Sequence, residues 1–210
     1  MMDGRHVVVT GAHGALGGAL AELLAKRGAV VHAPGREVRL DDEAAVTAWY
    51  GALPPLWASL HAAGGFAMAA LADTTLAAFE QQWRANAVTC FLCCREAARA
   101  IRRGGGGGRI VNVAARPVVQ PAPQMTAYTA SKASVAAITQ TLAAELAGDR
   151  ILVNAVLPSL IDTPTNRKAM PTADFATWPK PAEIAEAMCF FASPANALTT
   201  GELMPVYGRA

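Results

Sequence analysis

Two hydrophobic periods alternate along this chain. His6-Val-Val-Val-Thr10 is a short β-branched run of the kind that forms a buried strand. A glycine-rich turn follows, from Gly11 to Gly18, and then Ala19 to Arg27 repeats its leucines at helical spacing. Gly28 stops that helix, and Ala29 to Ala33 reads as a second strand. Val38-Arg39-Leu40 reads as a third, separated from the second by Pro34-Gly35-Arg36-Glu37 alone. A crossover between parallel strands, helix included, takes about ten to twelve residues or more. The helix between strands two and three is therefore expected to be shortened or missing. Downstream, the pattern predicts a long helix from about Leu76 to Ile101, a strand over Arg109–Val113, a helix carrying Tyr128, and a helix opened by Ala182-Glu183-Ile184. Strands alternating with helices predict an α/β fold built on a doubly wound parallel sheet. One domain spanning residues 1–210 accounts for the length.

Chemistry enters at the first turn. Strand, glycine turn, helix and strand form the βαβ context of a dinucleotide fingerprint, which makes the sheet Rossmann-like. Glycines let the backbone turn tightly and approach a pyrophosphate, whose charge sits at a helix N-terminus. The contacts are expected from Gly11, His13, Gly14, Ala15, Leu16 and Gly17. A second constellation lies in Tyr128-Thr-Ala-Ser-Lys132. Residues four apart share a helix face, so phenol and ammonium point into the same space. A nearby cation favours phenolate and lowers a tyrosine pKa, which makes Tyr128 a candidate proton donor or acceptor.

Thr10-Gly11-x-x-Gly14-x-x-Gly17, Asn86 in Arg-Ala-Asn-Ala-Val-Thr, Gly108-Arg-Ile-Val-Asn-Val113 and Tyr128-x-x-x-Lys132 follow in a fixed order. Val153-Asn-Ala-Val-Leu-Pro158, Ile161-Asp-Thr-Pro164 and Thr200-Gly201 before Pro205-Val-Tyr-Gly208 continue it. The order resembles the short-chain dehydrogenase/reductase family over nearly the whole chain. The resemblance implies an NAD(P)-dependent oxidoreductase in which Tyr128 exchanges a proton with a small-molecule substrate. Lys132 would lower the tyrosine pKa and hold the nicotinamide ribose, and Asn86 would hold a water linking Lys132 to solvent. Ala63, Gly64, Pro158, Ile161 and Thr163 would complete the cofactor site. Residues 164–181 lie where the family keeps a substrate lid; a simple crossover whose aromatics complete the core is the alternative. The family also commonly pairs its Asn86-type and Tyr128-type helices across a two-fold axis, so a homodimer or homotetramer is expected.

Three departures qualify this. The family's catalytic serine falls thirteen residues before the tyrosine, where this chain has Ala115. Loss of one oxyanion-type donor can cost about 2.7–4 kcal/mol in the transition state. The dihydropteridine reductase branch resembles this pattern in lacking the serine while keeping tyrosine and lysine. Its conjugated quinonoid substrate accepts hydride without a tightly polarised ketone. Second, Leu60-His61-Ala62-Ala63-Gly64-Gly65 replaces the family's Asn-Asn-Ala-Gly, and His61 reads as a structural hydrogen-bonding residue. Third, the stretch after strand two has no acid before Glu37, while Arg36 could pair with a 2′-phosphate. That favours NADP(H), with NAD possible; the alternative is a solvated loop arginine. A catalytically silent nucleotide-binding protein, a sensor or structural subunit, is the competing function.

Composition adds limits. Net charge is +2 at 53% hydrophobic content, so nothing argues for nucleic acid or an acidic membrane surface. No apolar stretch reaches the roughly eighteen residues needed to span a bilayer, and the N-terminus enters the first strand at once, so a cytoplasmic protein is expected. Cys90, Cys93 and Cys94 crowd one helix; no second pair or nearby histidine completes a metal site, and they read as small buried hydrophobes, as does Cys189. Gly104 to Gly108 reads as a flexible surface connection.

Overall fold

The computed structural model describes residues 1–209. Its centre is a parallel sheet of six strands: β1 (His6–Thr10), β2 (Val30–His32), β3 (Ala58–His61), β4 (Gly108–Val113), β5 (Ile151–Pro158) and β6 (Leu203–Val206). Their spatial order is β2-β1-β3-β4-β5-β6. The chain leaves β1 to one side for β2 and returns to the other side for β3, with Val7 to Thr10 in register with Ala58 to His61. Strand order reverses there, so the crevice beyond the carboxyl ends of β1 and β3 is the place where such sheets receive ligands.

Both faces are covered, which is why the strands are apolar almost throughout. The helices are α1 (Ala15–Lys26), α2 (Glu43–Gly51), α3 (Leu76–Trp83), α4 (Thr89–Arg102), α5 (Thr126–Glu145), α6 (Pro164–Ala169) and α7 (Pro181–Ala192). On one face Val8, Ile110 and Val153 pack with Val46 of α2, Cys93 and Ala97 of α4 and Val135 of α5. On the other, Val7, Val9 and Val111 pack with Leu20 and Leu24 of α1 and Ile184 and Met188 of α7. In β1 the alternation of Val8 against Val7 and Val9 is the period-two pleat.

The expected strand over Val38–Leu40 does not form; residues 36–40 make turns, and the strand after β2 is Ala58–His61. Asp42 decides the matter locally: its side chain accepts a hydrogen bond from the Ala45 backbone N–H at 2.9 Å and caps α2. Leu40, half-buried, packs against the core from the turn instead of from a strand. The helix between strands two and three is thus present but short, nine residues long. The long helix expected from Leu76 is also interrupted. Arg84–Val88 is a π-turn joining α3 to α4, and it contains Asn86. Such single-turn bulges re-aim side chains inside an otherwise continuous helix.

Candidate active site

The glycine turn is built for close approach. Gly11 has φ +72°, and a Cβ there would lie 2.6 Å from the Ala63 backbone nitrogen. A Cβ on Gly17 would lie 2.1 Å from the Gly11 carbonyl oxygen, so α1 packs directly on the turn. Gly14 caps α1 without a side chain, and no acid stands in the first turn. The N-terminal N–H groups of α1 are left for an anion, and the exposed His13, Gly14 and Ala15 border them. This cradle fits a dinucleotide pyrophosphate. Thr10 fastens the neighbouring loop by accepting the Ala63 N–H at 3.3 Å.

Tyr128 and Lys132 lie on the first turns of α5 and line a cavity of about 770 Å³ with Gly64, Ala115, Pro158 and Ile161. Leu16 reaches the same cavity from α1. Lys132 is buried and its Nζ donates to the Val113 carbonyl at 2.8 Å. Phe66 stands edge-on to the Tyr128 ring with centroids 4.9 Å apart. Asn86 connects the parts. Its Nδ2 donates to the Gly65 carbonyl at 3.0 Å and to Ser131 Oγ at 3.1 Å, and its Oδ1 accepts the Gly65 N–H at 3.1 Å. Ser131 in turn donates to the Tyr128 carbonyl at 2.7 Å. The π-turn, the loop after β3 and the start of α5 are therefore held as one unit. Gly64 is required in it, since a Cβ would come within 2.6 Å of Asn86 Oδ1 and 3.3 Å of Lys132 Nζ.

Electrostatics differ from the expectation in one respect. Burial pushes the Tyr128 phenol up to about 12 and brings Lys132 down to about 8. Desolvation disfavours both charged forms. The lysine ammonium is engaged with the Val113 carbonyl, and the phenol keeps its proton through neutral pH.

The other expected residues are distributed around this centre. Thr163 caps α6, its Oγ1 accepting the Asn166 N–H at 3.2 Å, while Asn166 Nδ2 donates to the Ile161 carbonyl at 2.8 Å. Arg36 is exposed in the turn after β2, away from the 770 Å³ cavity. Ala63 and Gly64 also border a second cleft with Leu40, Asp41 and Arg84. From residues 164–181, Asn166 and the buried Trp178 line the cavity. That segment is tied down by Arg167 donating to both Asp162 oxygens at 2.6 and 2.8 Å and stacking on Phe175. Arg167 holds the Asp162 carboxyl below its ordinary value.

Phe66 and Ser131 were not anticipated. Ser131 sits inside the Tyr128–Lys132 motif, and its contact with Asn86 depends on how two helices cross. Phe66 follows a glycine pair and carries no sequence signal for the cavity.

Residues 2–208 match the family model described as enoyl-(acyl carrier protein) reductase. The chain belongs to the short-chain dehydrogenase/reductase family. A short-chain type dehydrogenase/reductase from Picea abies is 44% identical over 93 residues, covering 44% of this chain and 34% of that protein. An uncharacterised short-chain type dehydrogenase/reductase from Sinorhizobium fredii is 32% identical over 246 residues, covering 99% of this chain and 44% of that protein. The chain thus spans less than half the length of these two curated relatives. Among solved structures, a 3-ketoacyl-(acyl-carrier-protein) reductase from Brucella melitensis complexed with NADH superposes with TM-score 0.88 at 25% identity, covering 100% of this chain and 99% of that one. Tyr128, Lys132 and Ala115 line one cavity, while the buried Asn86 is tied to it through Ser131 and Gly65. Among the described residues no helix is long and apolar enough to cross a membrane.

Proposed function

We propose that this protein is an NAD(P)(H)-dependent oxidoreductase that moves hydride between a nicotinamide and a small carbonyl or conjugated, quinonoid or pterin-like substrate. The observation that carries the reading is the single cavity shared by Tyr128, Lys132, Gly64 and Ala115, opening beside the glycine cradle. The nicotinamide supplies the hydride when bound. Gly11, Gly14, Gly17 and the first N–H groups of α1 hold the pyrophosphate. Ala63, Gly64, Pro158, Ile161 and Thr163 line the rest of its path, and Lys132 faces the ribose. Tyr128 gives its phenolic proton to the substrate heteroatom as negative charge develops there, and the Lys132 ammonium stabilises the phenolate left behind. Asn86 fixes the loop and helix that set the distance between them. A purely silent nucleotide binder has no use for this proton machinery.

Ala115 narrows the substrate class. A methyl group donates no hydrogen bond, so an acceptor that disperses charge over a conjugated ring is favoured over a simple ketone. Phe66 and Trp178 give the cavity aromatic walls suited to a flat ring. The stretch 164–181 serves as the lid that excludes water. Arg36, with no carboxylate ahead of it after β2, favours NADPH. Oxidation of NADPH and NADH against quinonoid dihydropterin, quinones, small diketones and aldehydes tests this. Turnover of the conjugated acceptors above the others supports it, and no turnover with any of them contradicts it.

A further inference from the structure

The cysteines of α4 look isolated in sequence, yet the fold brings a histidine to them. Cys90 and Cys94 are one turn apart on one helix face, and His61 arrives from the end of β3. Cys90 Sγ lies 3.9 Å from Cys94 Sγ, Cys94 Sγ lies 3.5 Å from His61 Nδ1, and the three donor atoms all fall within 4.8 Å of one another. All three residues are buried. Cys93 belongs elsewhere, against the Tyr50 hydroxyl. The Cys-x-x-Cys spacing of the sequence is therefore not the pair that matters.

We propose that His61, Cys90 and Cys94, with the Asn112 side-chain oxygen as fourth donor, form a buried site for a thiophilic divalent cation of the zinc type. Metal–sulfur bonds of about 2.3 Å and metal–nitrogen bonds of about 2.0–2.1 Å require tetrahedral edges of about 3.8 Å between sulfurs and about 3.5 Å between sulfur and nitrogen. The edges of 3.9 and 3.5 Å already match. Asn112 Oδ1 is 3.4 Å from Cys94 Sγ and 2.8 Å from His61 Nδ1. The first fits a ligand edge; the second must open by about half an ångström, because a nitrogen–oxygen edge around such an ion is about 3.3 Å. Asn112 cannot turn its amide the other way without loss, since its Nδ2 donates to Thr139 Oγ1 at 2.9 Å.

The protons balance. Cys90 and Cys94 release one each to solvent, and the two thiolates cancel the charge of the dication, so the buried site is neutral. His61 keeps its single proton but moves it from Nδ1 to Nε2. There it is donated to Ser59 Oγ at 2.9 Å, which lies 2.9 Å from the Tyr50 hydroxyl. That is the outer hydrogen-bond support that fixes a metal-binding imidazole. Cys90 is the more acidic thiol, held down by its hydrogen bond with Cys94 and by His61 and Lys132 nearby. The site rests on these distances alone and does not depend on the hydride-transfer reading.

Full-length reduced protein, refolded with one equivalent of Co²⁺ or Zn²⁺ because the site is enclosed, provides the test. One Zn²⁺ per chain is expected to survive gel filtration. The Co²⁺ form is expected to show the strong visible bands of tetrahedral cobalt and a near-ultraviolet charge-transfer band with the intensity of two thiolates. Cys90→Ser and Cys94→Ser are each expected to weaken binding by more than about 100-fold, beyond the loss of a supporting contact. Cys93→Ser and Cys189→Ser are expected to retain it. No retained ion, a charge-transfer intensity of other than two thiolates, or binding that persists in Cys94→Ser overturns the proposal. Should the serine variants fail to fold, the thiolate count of the unmodified protein decides.

Discussion

Ala115 places a methyl group on the wall that also carries Tyr128. Restoring the hydroxyl with Ala115→Ser is expected to raise kcat/KM for a small diketone by up to two or three decades, about what one well-placed donor supplies. Turnover of a conjugated acceptor is expected to stay level or fall slightly. Parallel steady-state kinetics on the two substrates check this, and an unchanged diketone rate contradicts it. Lys132 sets the pH dependence. Desolvation brings it down to about 8 from an ordinary 10.5, so its charge in the free enzyme is lost as pH rises through about 8. Tyr128, near 12, stays protonated over that range and is not the source of the change. kcat/KM for reduction is therefore expected to be level below pH 8 and to fall above it. The stability linkage has the opposite sense: the unfolded lysine keeps its proton up to about 10.5, so the burden of burying that charge is present below pH 8 and relieved between the two values. A pH–rate profile that is flat from 7 to 10 contradicts the first expectation. The placing of Tyr128 and Lys132 on one helix face was legible in their four-residue spacing, while Asn86 was singled out only by the family resemblance. Phe66, Ser131 and the His61–Cys94 contact were not legible, because they depend on how separate elements cross. The tyrosine–lysine spacing also suggested a lowered phenol pKa, which burial of both groups overrides.

Elements were legible where the hydrophobic period was long and the stops were clear. β1 and β4 follow their sequence patterns closely, whereas α1 begins at Ala15, four residues before its expected start, and takes Gly17 and Gly18 into its first turn. The region after β2 departs from its sequence pattern for a physical reason: three residues, Val38 to Leu40, have strand-like composition but no neighbouring strand to pair with, whereas Asp42 supplies a real helix cap. α2 restores cover to the sheet face, with Val46 and Tyr50 buried against the core. The π-turn at Arg84–Val88 has no sequence signal, yet it aims Asn86 at both Gly65 and Ser131. At this scale the proposed preference for NADPH rests on the turn between β2 and α2. Arg36→Ala is expected to weaken NADPH binding by about tenfold or more while leaving NADH nearly unchanged, because only NADPH carries the 2′-phosphate that an arginine fork would pair with. Fluorescence titration with both cofactors checks it, and equal losses make Arg36 a bystander.

For the whole molecule, α4 exposes Phe91 at 49%, α5 exposes Ala133, Ala137 and Ala144, and Trp83 of α3 is 41% exposed. Small residues along α4 and α5 permit close approach of a second copy across a two-fold axis. Light scattering at micromolar concentration is expected to return a dimer or tetramer mass; a mass near 21.8 kDa contradicts this. In the proposed mechanism, hydride transfer on the frame of sheet, glycine cradle and cavity depends on one proton donor. Tyr128→Phe removes that proton and little else, since the ring and its contact with Phe66 remain. Single-turnover oxidation of bound NADPH by the best acceptor, measured in the parent and in Tyr128→Phe, therefore tests the account most directly. Loss of at least two decades in the chemical step, with cofactor affinity nearly unchanged, is the predicted result. An undiminished rate in the variant would remove Tyr128 from the mechanism and contradict the account.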